Sequence, residues 1–195
     1  MFEPRVSGWP RIRSIVRVTD HVVSTPDGSP HQMAHEHREA VPGVVLFEKE
    51  PAGEAYRAIL DFAAAHCYAF ALVWRDQLLF DPAALDLARR LEPWLCFERH
   101  THEWPGTKLL GSKAWVRWYT VTEVSLAEVA QADGLYDWLS PGLPEDLAFY
   151  HRDGRGWVGS ISHEGEGWLD LETFGADLSR DLLRVLADHE VILAL

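Results

Sequence analysis

At 195 residues, 47% apolar and 25% charged, the chain has the size and composition of one globular domain. A domain of this length buries roughly 70% of its unfolded surface and needs no disulfide or metal to stay folded. The formal net charge of −12, from 30 acidic against 18 basic side chains, argues against nucleic acid or an anionic membrane as partner, since both require a basic footprint. An acidic chain suits a basic protein partner, or simply stays soluble.

Residues 1–40 carry five basic and five acidic side chains, so the whole negative balance falls in residues 41–195. They also hold Pro4, Pro10, Pro26, Pro30 and four of the ten histidines, with little periodicity. We read residues 1–40 as a poorly packed amino-terminal extension and residues 41–195 as a single domain. Met33 is the only internal methionine, and the expectation is that native synthesis starts there, without residues 1–32. His31 and His35 are spaced i, i+4, but behind Pro30 in such a segment they predict adventitious metal binding rather than a functional site.

From Glu54 the pattern is regular. "GEAYRAILDFAAAH" places Tyr56, Ile59, Leu60 and Ala63 on one helical face, and "CYAFALVW" reads as a buried strand. Asp81-Pro82 is an N-cap and first-turn pair opening a helix that carries Leu85, Ala88 and Leu91 and stops at Pro93. "WLCFERH" predicts a strand and "EWPGTKLLG" a turn. "KAWVRWYTV" is a strand with Trp115 and Tyr119 on one face and Trp118 on the other. "SLAEVAQADG" shows a capping box from Ser125 to Glu128 and a terminal Gly134. Strands "DLAFYH" and "WVGSISHE" and a helix over residues 177–188 complete the reading.

The two cysteines, Cys67 and Cys96, sit in apolar runs without any C-x-x-C, which fits buried thiols and a reducing cytoplasm. The longest apolar run, Cys67 to Trp74, falls far short of the ~20 residues of a membrane helix. Nothing at the amino terminus has the apolar core of a signal peptide.

"HRDGRGWVGSISHE" (residues 151–164) matches three catalytic signatures at once, and none survives its context. The G-x-G-x-x-G of Gly154, Gly156 and Gly159 needs a helix after it to meet a pyrophosphate. Here an alternating strand follows, with Trp157 and Ile161 on one face, so the glycines read as a hairpin loop with Asp153-Gly154 the turn and Gly156 a bulge. The H-R-D lacks the downstream Asn of a kinase loop. His163-Glu164 has no second histidine one helical turn on, as zinc would require. "GTKLLGSK" resembles a phosphate loop but has Ser112 between its second glycine and the lysine. His100 and His102 share a strand face without an evident third ligand. No cofactor motif and no metal set is complete.

What remains are three polar-aromatic segments, "HTHEWPGTKLL", "GLYDWLSPGLPEDLAFY" and "SISHEGEGWLDL", each with a tryptophan beside acidic residues. Loops carry function and tryptophan is enriched at binding hot spots. Equally, such rings can roof a core with their polar tips in water. Asp146 can cap a local turn just as well as serve chemistry.

The segments "EWPGTKLL", "GLYDWLSPGLPEDLAFY" and "DGRGWVGSISHE" resemble a family of bacterial proteins of unassigned function, some of which are labelled stage III sporulation protein AH. The likeness spans roughly residues 55–172. Its marker is L-P-E-D-L, then a D-G hairpin, then a W-x-x-S-I-x-H-E strand. The resemblance implies no known reaction; Glu103, Trp104, Glu145, Asp146, His163 and Glu164 lie in its matching motifs.

The expected fold is a single α+β domain, a mixed and mainly antiparallel sheet of about five strands with helices on one face. Two functions are expected in competition. One is a non-enzymatic cytosolic binding protein of immunity or regulatory type, using the Trp-rich acidic loops with Glu103, Trp104, Trp138, Glu145, Asp146, His163 and Glu164 as its contact residues. The other is a small hydrolase gathering His163, Glu164, Asp146 and Glu103 into one acid–base site.

Overall fold

The computed structural model describes residues 43–193 and the backbone of Arg17–Val18. The rest of the expected extension, with its His31/His35 pair and the expected start at Met33, lies outside the described residues. In chain order the elements begin with β1 (Arg17–Val18), β2 (Val44–Leu46), α1 (Glu54–His66), β3 (Ala69–Arg75) and α2 (Pro82–Leu91). They continue with β4 (Leu95–Thr101), β5 (Glu103–Trp104), β6 (Thr107–Lys108), β7 (Ala114–Thr120) and α3 (Glu123–Val129). β8 (Glu145–Tyr150), β9 (Gly156–Ile161), β10 (Glu166–Asp170), α4 (Leu171–Phe174) and α5 (Arg180–Asp188) follow.

Seven strands pair in the order β2-β10-β9-β8-β3-β7-β4, and every pair is antiparallel. The α+β class is as expected, with seven strands in place of about five. The two unforeseen strands are β2, whose three residues are too few to show alternation, and β10, whose "EGWLD" has the glycine and acids of a loop. A separate hairpin, β5 with β6, carries β1 parallel to β6.

Period-two alternation gives the central strand β3 two different faces. Phe70 and Leu72 point into the larger core, where Tyr56 and Ile59 of α1, Leu87 of α2, Val129 of α3 and Leu186 of α5 meet them. All these helices therefore lie on one face. Ala69, Ala71 and Val73 point the other way, beside Ala114 and Ala148. Over these small residues lies the β5–β6 hairpin, whose Trp104 joins Leu109, Trp118 and Tyr150 in a second core. Small side chains below let the hairpin approach closely, and its indole does the burying.

Local signals hold in most places. α1 buries Tyr56, Ile59, Leu60 and Ala63, and the Asp81 carboxylate accepts the N–H groups of Ala83 and Ala84 at the start of α2. α2, however, buries Ala84, Leu87 and Leu91 and leaves Leu85 48% exposed. Both stripes share Leu91 and a helical spacing, so periodicity alone could not choose between them. The capping box of α3 is also displaced. Thr122 Oγ1 accepts the Ser125 N–H and Ser125 Oγ accepts the Thr122 N–H, because the helix starts directly after β7. It ends at Val129, well before Gly134.

Between His151 and Ile161 the glycine-rich stretch forms the β8–β9 hairpin and a bulge. Gly154 has φ 88° in the β8–β9 turn, and Asp153 Oδ1 accepts the Arg155 N–H at 3.0 Å. Tyr150 pairs with Gly156 but Phe149 pairs with Val158, so Trp157, not Gly156, is the extra residue of the bulge. It therefore leaves the alternation and stacks on Phe62 in the helix-side core, ring centroids 4.6 Å apart. Ile161 packs instead with Trp168, so Trp157 and Ile161 do not share a face. Gly159 is glycine for want of room, since a Cβ there would run into the Trp168 indole.

Candidate functional site

A second bulge builds the one cluster of ionisable groups that stands out among the described residues. Ala71 of β3 pairs with Ala148 and Val73 with Glu145, so β8 carries one residue more than β3 over this interval. At that interval Asp146 has φ 56°, a left-handed conformation that aspartate tolerates better than most residues. In a regular strand Glu145 and Asp146 would face opposite sides of the sheet. Here both turn to the side of the β5–β6 hairpin.

Each carboxylate is held by different neighbours. Asp146 Oδ2 accepts the Trp104 indole N–H at 2.7 Å, and Oδ1 accepts the backbone N–H of Ser162 at 2.9 Å. Glu145 Oε2 stands 2.9 Å from Arg75 Nε, and Oε1 accepts from the Ser140 hydroxyl at 3.3 Å. The Arg75 guanidinium, at the end of β3, lies over the Trp104 ring at 5.5 Å.

Ser162 opens the 3₁₀ turn Ser162–Glu164 between β9 and β10, closed by Gly165 in the left-handed region at φ 64°. His163 is the middle residue of that turn. Donor atoms of Glu145, Asp146 and His163 all lie within 4.8 Å of one another. The two carboxylates are each only 2% exposed, whereas the His163 side chain is 25% exposed and so links the cluster to solvent. The Glu164 carboxylate lies 3.8 Å from His163 Nε2.

Burial raises the Glu145 pKa to about 7, helped by the Asp146 charge and opposed by Arg75 and the Ser140 hydroxyl. Burial also raises Asp146, against the hydrogen bonds from Trp104 and Ser162 and the nearby charges of His163 and Arg75. Two adjacent buried carboxylates facing one guanidinium are short of positive charge. Chemically the arrangement can hold a cation, or fix an imidazole against a buried carboxylate for proton transfer.

The residues singled out in the sequence separate into three groups. Trp104, Glu145, Asp146, His163 and Glu164 are brought together. Trp138 is fully buried in the helix-side core, its indole donating to the Tyr56 hydroxyl at 3.0 Å and its carbonyl accepting the Asp146 N–H at 3.3 Å. It supports the bulge from beneath and presents nothing to a partner. Glu103 is exposed beside the buried Trp104, because successive residues of a strand face opposite ways. Trp104 itself is buried, so neither tryptophan offers a contact surface. Arg75, Ser140 and Ser162 were missed. The one available signal was Arg75 as a lone charge ending the apolar run "AFALVW".

His100 and His102 gather no third ligand among the described residues. His100 instead bonds Asp76 at 2.8 Å and stacks on Trp115. Both cysteines are free, and burial pushes their thiols up. Among the described residues no helix is long and apolar enough to cross a membrane. No protein-family model, curated protein or solved structure matches the chain.

Proposed function

We propose that the protein is a non-enzymatic binding protein of the cytosol, of immunity or regulatory type, that takes a basic protein partner. The observation that carries this reading is the outer edge of β4. Among the described residues no strand pairs with that edge, although β4 is seven residues long. An unpaired edge of this length is a template for an added strand. Beside it Trp115 is 39% exposed, the one tryptophan among the exposed large apolar side chains. Its cross-strand neighbour Trp74 packs on Phe80, in the loop that leaves Leu79 on the surface. A ring on a rigid strand anchors contacts at little entropic cost, and the net charge of −12 favours a basic partner. This moves the aromatic anchor from Trp104 and Trp138 to Trp115.

The test is purification of the tagged protein from its native host beside the Trp115→Ala variant, with quantitative mass spectrometry of what comes with each. A stoichiometric basic protein lost from the variant, while its circular dichroism stays that of the parent, is the expected result. A partner retained by Trp115→Ala, or no partner at all, overturns the reading.

The hydrolase reading is supported by one observation, the approach of His163 to the buried pair Glu145 and Asp146. Glu103 takes no part in it. Turnover of an ester or amide substrate that disappears in His163→Ala would install this reading in place of binding.

A further inference from the structure

We propose that Glu145, Asp146 and His163 form a binding site for one divalent transition-metal ion, of the Zn²⁺ or Mn²⁺ type. The donors come from two separate places, the start of β8 and the turn after β9, and their atoms lie within 4.8 Å of one another. Metal–ligand bonds of about 2.0–2.2 Å put donors roughly 3–4 Å apart, so only a small closure is needed. Asp146 is already oriented by Trp104 and Ser162, each of which uses one lone pair on its oxygen and leaves another. The Glu164 carboxylate lies 3.8 Å from His163 Nε2, beyond a direct hydrogen bond, and would have to close on the ring to act as the outer carboxylate of a metal-bound imidazole.

A second observation concerns the hydrogen bonding of Glu145. Glu145 Oε2, on a side chain only 3% exposed, lies near Arg75 Nε, yet neither atom makes a hydrogen bond, and Arg75 Nη2 makes none either. The guanidinium supplies charge here but is misaligned as a donor. The ion pair with Arg75 thus lies off the hydrogen-bonding axis and leaves Oε2 a lone pair that a metal ion would take. Arg75 is the one guanidinium beside the buried pair Glu145 and Asp146, and a dication would supply the positive charge that two adjacent carboxylates lack. Two oxygens and one imidazole nitrogen, without thiolate, suit Zn²⁺, Mn²⁺ or Fe²⁺ rather than Cu⁺, and offer too few oxygens for Ca²⁺. The part-exposed His163 is the way in.

The experiment is calorimetric titration of the chelator-stripped full chain with ZnCl₂ and with MnCl₂, beside His163→Ala, Asp146→Asn and a His31→Ala/His35→Ala control. One ion per chain is expected for the parent and the control. The expected loss is about 10–100-fold or more in affinity for His163→Ala, with a metal-dependent rise in Tm seen in the parent and absent from that variant. His163 is on the surface, so this variant keeps the fold even where Asp146→Asn does not. Equal binding by His163→Ala, abolition by the control pair, or no binding at about 100 µM metal overturns the site.

Discussion

Asp146 sits where three segments meet, the β8 bulge, the β5–β6 hairpin through Trp104, and the β9–β10 turn through Ser162. Replacing it with Ala leaves a buried indole N–H and a buried amide without acceptors, each costing about 1–3 kcal/mol. Asp146→Ala is therefore expected to destabilise by about 3 kcal/mol in urea unfolding. Asp146→Asn keeps one acceptor and tolerates positive φ, but turns its NH2 toward the other buried N–H, so it too should destabilise. Glu145 gives the complementary prediction. Its folded pKa of about 7 lies above the ordinary 4.5, so the folded state binds the proton more tightly than the unfolded one. The associated stability is complete below pH 4.5 and is lost as pH rises through about 7; Asp146, also raised, has the same sign. In thermal melts of metal-free protein, Tm should fall across that window, and Glu145→Gln should flatten the fall. Parallel profiles for parent and variant would refute this assignment.

Among the elements, the bulges did most to separate expectation from structure. Helix faces were legible because apolar residues at a period of 3.6 report directly on burial, as Tyr56, Ile59, Leu60 and Ala63 do. Asp81-Pro82 was legible because capping is local chemistry. A bulge slips the pattern by one residue and leaves no trace in composition, so Trp157 was assigned to the wrong face. The shared orientation of Glu145 and Asp146 was invisible for the same reason. The motifs around "PEDL" and "SISHE" did hold the residues that converge, but Arg75 lay hidden at the end of a buried run. Gly159 tests the steric reading of the glycine triplet. Gly159→Ala drives a methyl into the Trp168 indole, a rigid ring packed on Ile161, and should cost about 1–3 kcal/mol by overpacking. A variant as stable as the parent in chemical denaturation would mean that Trp168 can move aside.

At the scale of the molecule, the two sheet faces divide the work. The helix side carries the larger core, while the hairpin side carries the ionisable cluster under a thin cover. The sheet's β4 edge, with Trp115 beside it, lies apart from both. Trp115→Ala gives up its stack on His100 and its cross-strand contact with Trp74 and should cost about 0.5–1.5 kcal/mol, too little to unfold the domain, while removing a partner. Binding to a basic protein should slow at higher ionic strength, as stopped-flow mixing at two salt concentrations would report.

The strand order has a consequence for synthesis. β3 is made early, yet its two neighbours, β7 and β8, are made much later, and Val44 waits for Asp170. Until β7 has been made, the apolar run of β3 has neither flank paired. Closure comes with β10, in one late step that depends on distant contacts and is slow for that reason. The unpaired apolar run of β3 is therefore the segment most prone to aggregation until its neighbours arrive.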